Sequence, residues 1–299
     1  MAIFNRLVVA QLMGGLGNQM FQYAAGKALA LRLDAEYEID LSWFRCMGDC
    51  TPRNFGLNAF NISTQEFAKQ EFCSKPSILR RATTFLSRQI LDSSIVVVHE
   101  PHFHYWAGFE KLSGRIFLLG YWQSERYFKN IANVIRYDFM FPSFQSNQSH
   151  ELYKKIKSSK NSVAVHVRRG DYINKPAAIT LHGGCCPPSY YKDSINYIKE
   201  KSNKLNLYIF SDDPSWVKDN FDPHGHATTI VDVPEHIKAP YHDMHLMSLC
   251  RHHIVANSSF SWWGAWLSRQ EGIVCAPRLW FSDLNIDTRD IYPETWIRL

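Results

Sequence analysis

The chain has 299 residues, 45% hydrophobic and 20% charged, which is long and apolar enough for two ordinary domains and excludes disorder. Its 33 basic and 28 acidic side chains leave a formal charge of +5, and there is no run of five or six like charges. Such a mild excess suits an anionic small molecule and excludes the clustered basic stripe that binds nucleic acid.

No stretch of about twenty apolar residues is present, and the first residues lack the basic start and apolar run of a signal peptide. The chain is therefore expected in the cytoplasm. The seven cysteines include no Cys-x-x-Cys pair, and Cys46/Cys50 and Cys185/Cys186 fit no zinc spacing, so reduced structural thiols are expected.

In chain order, short apolar runs bounded by turn signals alternate with helical segments, the pattern of an α/β fold with largely parallel strands. The first strand, Leu7 to Leu12, runs into "MGGLGNQMF" and a helix from Gln19 to Arg32. Gly15 and Gly17 supply the start of a dinucleotide fingerprint, but Met20 stands where its third glycine belongs, which weakens a pure Rossmann reading. Asn18 and Gln19 at the helix start can satisfy backbone amides or reach a ligand.

Strands at Ile95 to His99 and Ile116 to Leu119 follow. "HEPHFHYW" lies between them, and its His102 and His104 read as surface or acceptor-side histidines rather than metal ligands. The polar segment 141–150 interrupts the apolar rhythm, which divides the chain into domains 1–145 and 146–299.

The second half opens its strands with "VAVHVRRGDY", a buried run from Val163 to Val167 that ends in paired arginines. Arginine meets a diphosphate with a planar, permanently charged fork. By strand alternation Arg168 points with His166 and Arg169 points the other way, so one arginine is expected on phosphate and the other in structure. After a helix from Pro188 to Glu200, the strand Leu207 to Ser211 runs into "DDPSW". One aspartate of Asp212 and Asp213 caps the next helix, and the other is free to accept the adjacent N–H donors of a guanine edge. Strands at Thr228 to Val231, His253 to Ala256 and Gly272 to Ala276 complete the pattern. Between the last two, "NSSFSWWGAW" sets Asn257, Ser258 and Ser259 at a helix N-terminus, an anion site. Its tryptophans, Trp262, Trp263 and Trp266, read as core packing.

Taken together, "GGLGNQMFQYA", "GYWQSERYF", "HVRRGDY", "FSDD" and "NSSFSWWGAW" resemble the bacterial α-1,2-fucosyltransferases of glycosyltransferase family 11, and more distantly the protein O-fucosyltransferases and core α-1,6-fucosyltransferases. The resemblance implies a GT-B-like enzyme with two Rossmann-like α/β domains facing a cleft, the first on the acceptor side and the second binding GDP-fucose. It implies inverting transfer of L-fucose from GDP-β-L-fucose to the 2-hydroxyl of a terminal galactose on a glycan, without cofactor or metal, in the cytoplasm or at the inner membrane face.

By motif, Arg168 would hold the β-phosphate, His166 would lie beside the donor, and Asp213 would read guanine. Ser258, Ser259 and Phe260, with Asn257, would add amides to the diphosphate. Asn18, with Gly15 and Gly17, would face the fucose and phosphate. For the general base the sequence offers Asp171, Glu125 and Asp243; the glutamate of the core α-1,6 relatives cannot be carried over, because its position here is Pro176. Two rivals remain on the residues alone. A nicotinamide-dependent oxidoreductase would bind ribose through Asp34 or Glu36, and a non-catalytic glycan-binding protein would use the tryptophans.

Overall fold

A computed structural model describes residues 6–45, 53–62, 65–67, 94–144, 146–170, 173, 179–180, 184–234 and 239–299. The chain forms two compact units, Met1–Met140 with Arg289–Ile291, and Phe141–Thr288 with Tyr292–Leu299.

The first unit carries a parallel sheet of β1 (Leu7–Gln11), β2 (Glu36–Asp40), β3 (Gln65–Glu66), β4 (Ile95–His99) and β5 (Arg115–Leu119), in the order β3-β2-β1-β5-β4. β1 is buried along its whole length, as a central parallel strand must be. The helix Leu16–Leu33 contains no β-branched residue and ends at Asp34, which takes the left-handed conformation (φ 50°) and donates its N–H to Ala30 and Leu31. Gly26 lets this helix lie close on the sheet, since a Cβ there would stand 2.6 Å from the Tyr37 ring and 2.9 Å from the Ala10 Cβ.

The second unit carries β6 (Ser162–Val167), β7 (Asn206–Ser211), β8 (Ala227–Val231), β9 (His252–Ile254), β10 (Val274–Ala276) and β11 (Ile297–Arg298). All pair in parallel, in the order β11-β10-β9-β6-β7-β8. Counted from β6, this is the doubly wound 3-2-1-4-5-6 arrangement. β6 is covered on both faces: Val163, Val165 and Val167 pack with Tyr191 and Ile195, while Ala164 packs with Phe210 and Leu246.

Each of the eight expected strands is present, shifted by a few residues at its ends. β2, β3 and β11 were not expected. β2 reads Glu-Tyr-Glu-Ile-Asp and is buried only at its last two residues, so it lacks the apolar run that marks the other inner strands. β3 and β11 are two-residue edge strands. The tryptophans form core rather than a sugar platform: Trp262 and Trp263 are fully buried, and Trp262 lies 5.1 Å from Trp263, 6.1 Å from Trp266 and 5.5 Å from Trp296 between ring centres. No described helix is long and apolar enough to cross a membrane.

Two consequences are measurable. Gly26→Ala should destabilise the first unit by about 1–3 kcal/mol in urea unfolding, because the helix must lift off Tyr37; an unchanged midpoint would contradict that close packing. In the second unit, burial pushes His245, His252 and His253 down to about 4 from an ordinary value of 6.5. The unfolded chain therefore takes up protons first, so stability is held above pH 6.5 and is lost progressively as pH falls toward 4. The second unit's urea midpoint should already drop between about pH 6.5 and 5, above the range of ordinary carboxylates. A flat profile there would contradict the neutral, buried state.

Candidate active site

In the second unit, β6 has β7 on one side and β9 on the other, so the chains leaving their carboxyl ends run to opposite sides and open a crevice. The loop after β6 carries Arg168, Arg169 and Gly170, the loop after β7 carries Asp212 and Asp213, and the loop after β9 carries Asn257 and Ser258. The structure thus brings the three sequence motifs of this half to one edge of one sheet.

The two arginines take different partners. Arg168 Nη1 lies 2.8 Å from Asp212 Oδ2, with about a fifth of the side chain (22%) exposed. Asp212 Oδ1 accepts the Arg169 backbone N–H at 2.8 Å. Gly170 makes room for this carboxylate, since a Cβ there would stand 2.5 Å from Asp212 Oδ2. Arg169 Nε donates to Asp213 Oδ2 at 3.2 Å, and its guanidinium lies 3.7 Å over the Trp216 ring. Asp213 caps the helix Pro214–Asn220, its Oδ1 accepting Trp216 N–H at 3.1 Å. Arg169 is thus held by Asp213 and Trp216, and Arg168 by Asp212.

The faces follow the alternation of β6. Val167 and Arg169 line a cavity of about 390 Å³ with Cys186, Tyr191, Trp216 and Phe221. His166, buried, lies on the other face with its ring 6.1 Å from Phe260. Burial pushes the Cys186 thiol up to about 11, which keeps it protonated and unreactive. After β9, Asn257 is buried and its Oδ1 accepts from Cys186 Sγ at 3.7 Å. Ser258 is the N-cap of the helix Ser259–Trp266, its hydroxyl accepting Phe260 N–H at 3.4 Å. That places the positive end of a helix dipole at the crevice.

In the first unit β1 and β5 are neighbours, so the loop after β1 and the loop after β5 lie side by side at one edge of the sheet. Gly14 is the residue there with a left-handed backbone (φ 76°). Gly15 is the helix N-cap, and an added Cβ on it would meet nothing within 4 Å; Gly17 is buried in the first helical turn. Gln19 Nε2 donates to Gly14 O and Asn54 O at 2.9 and 3.0 Å, and its Oε1 accepts Gly56 N–H at 2.9 Å. Gln22 accepts Met13 N–H at 2.9 Å and donates to Gly120 O at 3.1 Å. Asn18 Oδ1 accepts from Gln123 Nε2 at 2.9 Å.

Of the candidate bases, Asp171 lies outside the described residues. Asp243 is buried with its Oδ1 3.2 Å from His242 Nδ1, while His242 Nε2 meets Ser149 Oγ at 2.7 Å. That chain fastens the helix Asn147–Ser158 to the helix His242–Ser248. Glu125 sits in the turn Glu125–Tyr127, capped by Ser124. His102 and His104 stack at 3.6 Å, and among the described residues no three His, Cys, Asp or Glu side chains gather as metal ligands. Asp34 and Glu36 flank the amino end of β2, opposite the end where an acidic residue reads ribose in dinucleotide-binding folds. At the proper end Asp40 is buried and accepts from Gln11 at 2.9 Å and Ser42 at 2.6 Å. Gly14, Gln22 and Gln123 were not singled out from the sequence, and Asp212 was named there only as a cap or a base reader, not as the partner of Arg168. The glycine-rich opening stretch held the signal for Gly14 and Gln22; the other two contacts depend on which strands become neighbours.

The family model for glycosyl transferase family 11 matches residues 102–299. An α-1,2-colitosyltransferase of Escherichia coli is 37% identical over 300 residues, spanning 98% of this chain and 99% of that protein. An O-antigen biosynthesis glycosyltransferase of Escherichia coli, WbnK, is 32% identical over 96% of this chain and 99% of its own. The crystal structure of the NodZ α-1,6-fucosyltransferase soaked with GDP-fucose shares the fold, with a TM-score of 0.52 at 17% identity, covering 88% of this chain and 92% of that one. The chain is therefore a GT-B-type α/β glycosyltransferase and belongs to glycosyl transferase family 11.

Proposed function

We propose that this chain is an inverting galactoside α-1,2-fucosyltransferase that uses GDP-β-L-fucose. The observation that carries the reading is Arg168 at the switch point of the second sheet, with the Ser258 helix terminus on the neighbouring strand.

In this reading the galactose 2-hydroxyl oxygen attacks the anomeric carbon on the face opposite GDP. The bond from that carbon to the β-phosphate oxygen breaks, and GDP leaves with the electron pair. The β-donor thereby gives an α-linked product. The sugar centre becomes oxocarbenium-like, so the barrier falls mainly where charge develops on the departing diphosphate. Arg168, the amides of Ser258 to Phe260 and the helix dipole meet that charge, a contribution of about 3 kcal/mol for one well-placed group. Fixed donors take the part that a divalent metal plays elsewhere, so the reaction is assigned no metal and no cofactor.

Asp213 is assigned to guanine, so capping and base reading fall to one aspartate rather than being divided between Asp212 and Asp213 as the sequence suggested. Each of its oxygens accepts one bond from the protein and keeps a second lone pair for the base. His166 lies beside the donor, and Asn18, with the Gly15 and Gly17 backbone, contacts its sugar and β-phosphate. The acceptor proton goes to Asp171, one residue beyond Gly170; Asp243 is buried with His242, away from this role. A water-soluble donor places the reaction in the cytoplasm, or at the inner membrane face where the acceptor is membrane-bound.

A second donor is favoured by a specific finding, the 37% identity to an α-1,2-colitosyltransferase. Colitose is fucose without its 3-hydroxyl. A pocket that hydrogen-bonds this hydroxyl separates the two donors by orders of magnitude, and one that does not accepts both.

Incubation with GDP-fucose or GDP-colitose and a panel of terminal galactosides in EDTA, read by mass and linkage analysis, should show one deoxyhexose from the first donor or one dideoxyhexose from the second added at the 2-position. Absence of product with both donors across the panel, or product only when a divalent metal is restored, would overturn this reading.

A further inference from the structure

The segment "GYWQSERYF" has no part in the chemistry assigned above, yet its backbone is unusual. Trp122 takes a left-handed conformation at φ 55°, costly for a bulky residue and kept only where the surroundings hold it. Three features hold it. The Glu100 carboxylate, at the end of β4, accepts the N–H groups of Tyr121 at 2.7 Å and Trp122 at 3.0 Å. Gly120 permits this approach, since a Cβ there would stand 2.4 Å from the Glu100 Cβ. The Trp122 ring is buried against Phe109 and Tyr127, at 5.6 and 5.4 Å between ring centres. The next residue, Gln123, is thereby turned inward; it is 5% exposed and donates Nε2–H to Asn18 Oδ1 at 2.9 Å.

This bond joins the loop after β5 to the loop after β1, and in it the Asn18 carboxamide turns its oxygen to Gln123. With Oδ1 turned to Gln123, Nδ2 lies on the Gly14 side, where a Cβ on Gly14 would stand 2.8 Å from it. A glycine at position 14 therefore leaves room for the amide nitrogen as well as for the left-handed turn. A carboxamide flipped the other way would aim oxygen lone pairs at a ligand rich in acceptor oxygens, and two acceptors repel. We infer that Gln123 is a positioning residue of the transfer reaction: it fixes Asn18 so that its N–H donors face the sugar nucleotide, and the strained Trp122 turn exists to deliver it. This inference rests on the role given to Asn18 under the proposed function.

The test is a double-mutant cycle on the whole chain, with Asn18→Ala, Gln123→Leu and their combination, read as kcat and KM for transfer and as the thermal midpoint. Gln123→Glu is the shape-conserving companion, since a carboxylate cannot donate to Oδ1. Gln123→Leu and Gln123→Glu should each lower kcat about tenfold or more, with KM and midpoint nearly unchanged. In the Asn18→Ala background, Gln123→Leu should cost no further activity beyond about twofold. Losses that multiply in the double variant, an unaffected Gln123→Glu enzyme, an Asn18→Ala enzyme of wild-type rate, or activity lost only together with the folded state would overturn the inference. Should the wild-type chain transfer nothing from either donor, the proposed function itself fails, and the inference falls with it.

Discussion

Because β6 pairs with β7 on one side and β9 on the other, the chains that leave their carboxyl ends diverge, and the backbone between them cannot be filled by its own connections. Everything assigned to the donor in the second unit depends on that one adjacency. It sets Arg168 across from the Ser258 helix terminus, residues 90 positions apart in the chain, and it puts Asp212 and Asp213 on the strand alongside. In the first unit β1 and β5 are neighbours, and the loops that follow them bring Asn18 and Gln123 together. A parallel sheet buried on both faces is a stiff frame, which suits a site whose work is to hold charge at fixed points.

The two arginines are held differently by this frame. Arg169 is laid on Trp216 and tied to the carboxylate that caps the next helix. Arg168 is steadied by Asp212 from one side and keeps a permanently charged fork at the crevice.

The sequence made the eight principal strands and the opposite faces of His166 and Arg169 legible, because each rests on local periodicity, and the burial of the tryptophans, because so large an apolar ring belongs in a core. β2 was not legible, since its acidic residues hide a strand that gains its place from neighbours on both sides. The same limit applied to the site. That Asp212 would take Arg168, or that Gln123 would reach Asn18 over 105 positions, follows from strand order and from a left-handed tryptophan. Neither is written in any window of residues. The opening glycines misdirected in one respect: Gly14, outside the fingerprint spacing, is the one whose backbone requires glycine.

The central claim is that Arg168, and not Arg169, meets the charge of the leaving diphosphate. The most direct measurement is single-turnover transfer by Arg168→Ala beside Arg169→Ala, with unfolding midpoints taken on both. Arg168→Ala should lose roughly a hundredfold or more in the chemical step while its fold persists, and Arg169→Ala should lose stability first. Near-wild-type turnover by a folded Arg168→Ala enzyme would contradict the account.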